Sequence, residues 1–163
     1  MTGSQADQPS KRRQAPDVGL LVAGLLTSGM ALYHFWLPSL WGWGAALQNV
    51  PMLNWALFML NASFSYLLLA GGALTVAIAL TSGSRDRAGA WVLIAMCGYW
   101  SFNAVYQIVA PMPMPPRMAS LKWGLFAFAV MVAWLYVGAL LRGRRGTGEV
   151  PSSLPAVLPG IGQ

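Results

Sequence analysis

The chain has 163 residues, of which 56% are apolar and 9% charged, against about 25% charged in soluble domains. A single Cys excludes a disulfide scaffold, and glycines without a fixed period exclude collagen. The ten Lys and Arg, four Asp and Glu and one His are mostly gathered in short clusters, and the long uncharged apolar runs between them mark an integral membrane protein.

In chain order, residues 1–16 are polar and basic and read as a disordered cytoplasmic tail. A first helix is predicted over about 18–37. The alternative there is a signal peptide opening on Lys11, Arg12 and Arg13, but the apolar run continues through Tyr33, Phe35, Trp36 and Leu37, longer than the about 7–15 residues of a signal core. The segment from Pro38 to Pro51, with Gly42, Gly44, Gln48 and Asn49, is expected to break helical continuity. A second helix follows over about 54–80, a turn SGSRDR, and a third over about 88–110. After PMPMPP, a fourth runs over about 120–141 and stops at Arg142, Arg144 and Arg145; residues 143–163, rich in Gly, Pro and Ser, read as a second disordered cytoplasmic tail. Each helix is near or above the about 20 residues that cross roughly 30 Å of hydrocarbon. Strands of a membrane barrel would alternate in polarity, and these runs do not. The expected fold is therefore all-α, a polytopic four-helix transmembrane bundle over 17–142.

Orientation follows from the basic residues. Eight of the ten (Lys11, Arg12, Arg13, Arg85, Arg87, Arg142, Arg144 and Arg145) share one side of a four-span chain, against Arg117 and Lys122 on the other. The positive-inside rule puts both termini in the cytoplasm, as expected of a multi-pass protein of the cell inner membrane. Trp36, Trp41, Trp43, Trp55 and Trp123 then collect at the outer boundary, where amphipathic rings settle. The positive charge sits at membrane edges rather than in a nucleic-acid module, so no nucleic-acid partner is expected.

No Asp, Glu or Arg lies inside a predicted span, and Lys122, two residues into the fourth, is placed to snorkel outward. This removes the buried acid that a proton-driven transporter, a carboxylate metal site or a catalytic triad would use. No catalytic residue, metal site or cofactor is assigned. The remaining polar side chains concentrate in the outer half: Asn54, Asn61 and Ser65 at spacings of seven and four on the second helix, and Tyr99, Asn103, Tyr106 and Gln107 at spacings of three and four on the third. At 1.5 Å per residue Asn61 lies roughly 10 Å below Asn54, and Tyr99 roughly 16 Å below Ala110. His34 and Lys122 fall at the same level. Two readings stand: polar side chains joining helices by hydrogen bonds, or an outward-opening pocket for a small amphiphile such as a lipid or quinone headgroup. Cys97 reads as a packed thiol, and His34 as a satisfied hydrogen-bonding side chain rather than a proton relay. Met112, Met114 and Met118 carry soft sulfur ligands, but a polyproline path points Met112 and Met114 apart. Gly24 with Ser28, Gly71 with Gly72, and Ala129 with Ala133 permit close helix approach.

The junction HFWLPSLWGW (His34 to Trp43), the segment LNWALFMLN (Leu53 to Asn61) and the ending WSFNAVYQIVAP resemble a group of small bacterial four-helix membrane proteins. The architecture is more loosely similar to DoxX-like proteins, small four-helix inner-membrane subunits, some of them linked to quinone or thiol redox systems. That resemblance implies a redox subunit, while the residues themselves favour a non-enzymatic accessory bundle that meets membrane lipids, a small amphiphile, a partner membrane subunit or a second copy. A small channel or transporter is the third alternative.

Overall fold

A computed structural model describes residues 15–81, 87–111 and 116–145. Among them the chain is all helical: α1 (Val18–Leu40), a short α2 (Trp43–Ala46), α3 (Pro51–Thr81), α4 (Arg87–Val109) and α5 (Ala119–Arg145), the last preceded by a 3-10 turn at Pro116–Met118. α1, α3, α4 and α5 are long and apolar enough to cross a membrane, and they form the expected four-helix bundle. Their outer surfaces carry side chains that water would not tolerate together, such as Leu67, Trp91, Phe102 and Trp134, each about two-thirds exposed. This is an integral membrane protein with its apolar surface turned to lipid.

Two of the spans, α1 and α3, have starts that their sequence explains. The Asp17 carboxylate accepts from the Leu20 N–H at 3.0 Å and caps α1. Pro51 opens α3 at the one helical position where its missing N–H costs nothing. Between α1 and α3, Gly42 adopts φ 63° and ψ 35°, a left-handed conformation that L side chains disfavour, and from it the single turn of α2 departs. Trp43 of that turn meets Phe58 edge-on at 6.1 Å.

Around the bundle the order is α1, α3, α4, α5, with α1 packed most extensively on α3 and α4 on α5. Without a hydrophobic drive between helices in lipid, close contact depends on small side chains. The buried positions recur every three or four residues: Ser65, Leu68, Gly72, Thr75 and Ala79 on α3, and Leu20, Ala23, Gly24, Thr27 and Ala31 on α1. At the α1–α3 crossing a Cβ on Gly24 would lie 2.9 Å from the Val76 nitrogen and 3.0 Å from the Gly72 oxygen, while one on Gly72 would collide with Ser28. The expected Gly24, Ser28 and Gly72 approach is thus in place. Cys97 packs against the core, also as expected.

At the end where α1 begins and α5 finishes, Arg142 holds Asp17 with Nη2 at 2.9 and 3.0 Å from the two carboxylate oxygens and Nε at 3.2 Å from one of them. The Asp17 N–H also donates to the Ala79 carbonyl at 3.3 Å. One aspartate therefore ties together the start of α1 and the ends of α3 and α5.

Three boundaries differ from those read in the sequence. α3 starts at Pro51 rather than near residue 54. α5 continues past Leu141 through Arg142 to Arg145, because Arg142 is held by Asp17 and extends the helix beyond the apolar run; residues 143–145 belong to it rather than to a tail. α1 does not break at Pro38 but passes through it to Leu40. The cause is visible one turn earlier. Proline has no N–H, so the carbonyl of residue 34 loses its helical partner, and Asn61 of α3 donates its side-chain amide to that His34 oxygen at 2.7 Å. A neighbouring helix thereby restores the bond, the condition under which membrane helices accept proline. The tails, apart from residues 15–16 and 143–145, residues 82–86 of the SGSRDR turn, and residues 112–115 with Met112 and Met114 lie outside the described residues.

This replacement predicts a coupling. Asn61→Leu should lower the unfolding free energy by about 1–2 kcal/mol, measured by denaturant titration in detergent micelles, and by much less in a Pro38→Ala background, where the residue 38 N–H reclaims the carbonyl. Equal losses in both backgrounds would refute the replacement.

Candidate functional site

The polar side chains of the spans form two groups, one in the middle of the bundle and one toward the tryptophan-rich end. The central group was not singled out in the sequence. It joins one residue from each span: Thr27 of α1, Thr75 of α3, Trp100 of α4 and Tyr136 of α5, all buried. The Trp100 indole Nε1 donates to Thr27 Oγ1 at 3.1 Å, Thr27 Oγ1 lies 3.2 Å from the Tyr136 hydroxyl, and that hydroxyl lies 3.1 Å from Thr75 Oγ1. Thr75 in turn donates to the Gly71 carbonyl at 2.8 Å.

The direction of every bond follows by elimination. Each hydroxyl has one proton. That of Thr75 is spent on Gly71, so Tyr136 must donate to Thr75; with its own proton spent, Tyr136 must accept from Thr27; and Thr27 accepts from Trp100, whose indole can only donate. The result is one chain, from Trp100 N–H through Thr27, Tyr136 and Thr75 to the Gly71 carbonyl, beginning on a pure donor and ending on a pure acceptor. Trp100 to Thr27 spans one diagonal of the bundle and Tyr136 to Thr75 the other, so the two long aromatic side chains reach across and the two short threonines receive them. The signal in the sequence was positional: Trp100 lies thirteen residues from Arg87, far from the interface where tryptophan usually sits.

The second group holds the predicted residues. His34 is half-buried on α1, with Phe64 of α3 edge-on at 5.5 Å and Tyr33 at 5.9 Å. Asn61 bonds the His34 carbonyl, and Ser65 bonds the Asn61 carbonyl at 2.7 Å. Tyr99 of α4 joins through Phe64, 5.6 Å away, and stacks edge-on to Trp100 at 5.2 Å, which links the two groups by a continuous run of rings. Asn103 accepts from Gln107 at 2.6 Å on α4 itself. Gln107 and Lys122 then meet at a cleft between α4 and α5 of about 90 Å³, also lined by Ile108, Trp123 and Phe126. The Lys122 ammonium lies 5.5 Å from the centre of the Trp123 ring.

Two of the nine residues stand apart. Tyr106, expected on the face of Tyr99 and Asn103, is exposed to the lipid side and stacked on Phe102 at 5.9 Å; both 106 and 107 follow Asn103 by about one turn, and Gln107 takes the inner place. Asn54 sits near the start of α3 with a buried side-chain oxygen that has no partner among the described residues. Most of the polar side chains thus bond within or between helices, while Gln107 and Lys122 line a cleft. Comparison with protein-family models, with curated proteins and with solved structures gives no match.

The chain of hydrogen bonds carries its own test. Tyr136→Phe leaves the Thr27 proton without an acceptor and Thr75 without its donor, and should destabilise the bundle by about 1–2 kcal/mol in detergent-based unfolding. Adding Thr75→Val to that variant should cost less than Thr75→Val alone, since a partner already lost cannot be lost twice.

Proposed function

We propose that this protein is a non-catalytic accessory bundle of the inner membrane that binds a small amphiphile at its tryptophan-rich end. The observation that carries this reading is the unequal use of hydrogen-bonding capacity. In the middle of the bundle every proton of the Trp100–Thr27–Tyr136–Thr75 chain is spent on a protein acceptor, and an indole at one end and a carbonyl at the other offer no group that gains or loses a proton near neutral pH. At the tryptophan-rich end Gln107 uses one N–H on Asn103, leaving its second N–H and its carbonyl unspent on a side chain that lines the cleft it shares with Lys122. A structural function for the middle and a binding function for that end follow from the same accounting. The distribution of Lys and Arg supports placing the Asp17 end in the cytoplasm and the tryptophan-rich end outside.

The amphiphile reading predicts that the protein purified in mild detergent retains about one lipid-like molecule per chain in native mass spectrometry, and that reconstituted liposomes show ion flux at background. A stoichiometric quinone with a catalytic partner would support a redox subunit instead, and flux above background a channel.

For orientation, single-cysteine variants in a Cys97→Ala background are expected to react with a membrane-impermeant maleimide at Gln48→Cys before permeabilisation and at Thr81→Cys only after it. The opposite order would invert the topology.

A further inference from the structure

The cleft between α4 and α5 has a chemistry of its own. We propose that it is a site for one anionic phospholipid, whose phosphate sits against Lys122 and Gln107 and whose acyl chain runs down the lipid-facing side over Phe126, one turn deeper than Lys122 on α5. The proposal rests on the amphiphile reading above and names the class of its ligand.

Three observations converge on it. First, the charge is unmatched: the only ion pair among the described residues joins Asp17 and Arg142 at the opposite end of the bundle, and the Lys122 ammonium faces the Trp123 ring rather than a carboxylate. Second, donors outnumber acceptors at the polar edge: three ammonium N–H bonds on Lys122 and the second amide N–H of Gln107, whose first is spent on Asn103, against one acceptor, the Gln107 carbonyl. Donors and positive charge suit phosphate oxygens and repel a headgroup whose exposed end is a quaternary ammonium. Third, the size discriminates. About 90 Å³ equals the liquid volume of about three waters, room for a phosphate and its ester oxygens. Enclosed sites for drug-sized molecules occupy about 300–1,000 Å³, so the cleft takes a headgroup-sized part of the ligand and the remainder lies outside. What lies outside is apolar: Ile108 is 63% exposed beside the cleft, and Phe126 and Trp123 meet edge-on at 6.1 Å to form its other wall. An ammonium at the membrane boundary above an apolar groove matches the two parts of a phospholipid in their order along the membrane normal.

The test is native mass spectrometry of the purified full chain, titrated with phosphatidylglycerol and with phosphatidylcholine of identical acyl chains. Wild type should favour phosphatidylglycerol about fivefold, the ratio expected for one basic residue at an anionic headgroup. The ratio should fall toward one as salt is raised, a measurement that needs no variant. Lys122→Gln should abolish the preference by lowering the affinity for phosphatidylglycerol to that for phosphatidylcholine, and Lys122→Arg should keep it. Equal affinity of wild type for the two lipids, or a preference that survives in Lys122→Gln, would overturn the proposal. So would displacement of phosphatidylglycerol by glycerol phosphate at equal concentration, which would make the site one for a free anion. Binding of both lipids without discrimination would remove this site while leaving the amphiphile reading intact, whereas binding of neither would remove that reading itself.

Discussion

The structure depends most on one chain of hydrogen bonds, from the Trp100 indole through Thr27, Tyr136 and Thr75 to the Gly71 carbonyl. In water a bundle of this size would be held by withdrawal of apolar surface. In lipid that force is absent between helices, and specificity falls to close packing and polar contacts. The chain ties the four spans into one arrangement: both diagonals of the bundle are crossed, all four spans are engaged, and no donor along it is left over. Low polarity around it strengthens each bond and makes a missing one expensive. The small residues at the α1–α3 crossing serve the same arrangement, since Gly24 and Gly72 bring α1 and α3 close enough for Thr27 and Thr75 to be served by one hydroxyl.

Much of the fold was legible in the sequence, because the few charges bracket the spans and apolar runs of this length have one common use. Individual partners were not. Periodicity assigns a residue to a face but not to a neighbour: Asn61 was read as sharing a face with Asn54 and Ser65, yet nothing in its spacing says that it serves a carbonyl on α1. Pro38 was read as a break because its local effect is to break a helix; its compensation arrives from twenty-three residues further along the chain. Tyr106 and Gln107 show the limit of spacing arguments most simply. Both follow Asn103 by about one turn, and the packing of α4 against α5 decides which turns inward. The central threonines went unremarked because a lone threonine in an apolar run is ordinary, and its meaning here comes from three partners on three other helices.

The two ends of the bundle are built on different principles. At the Asp17 end a bidentate arginine, a helix cap and a backbone bond meet on one residue, and the contacts are mutually satisfied. Toward the other end α3, at 31 residues or about 46 Å, exceeds the roughly 30 Å hydrocarbon thickness, and its first turns present Met52 and Trp55 largely exposed. Polar groups there are bonded along a helix, bonded from α3 to α1 in the case of Asn61, or left beside a cleft. A closed end and an open end on one small bundle separate the task of holding the fold from that of meeting a ligand.

The last span carries Tyr136 at the centre and Arg142 at the closed end. A nascent chain that has inserted three spans therefore has the Thr27, Thr75 and Trp100 side chains in the membrane without the hydroxyl that unites them, and the Asp17 carboxylate without its guanidinium. The arrival of α5 supplies both at once, the hydroxyl at the centre and the guanidinium at the closed end, and so closes the bundle in one step. An incomplete product is marked by polar groups left unmatched in lipid, so the same contacts that stabilise the finished chain distinguish it from an unfinished one.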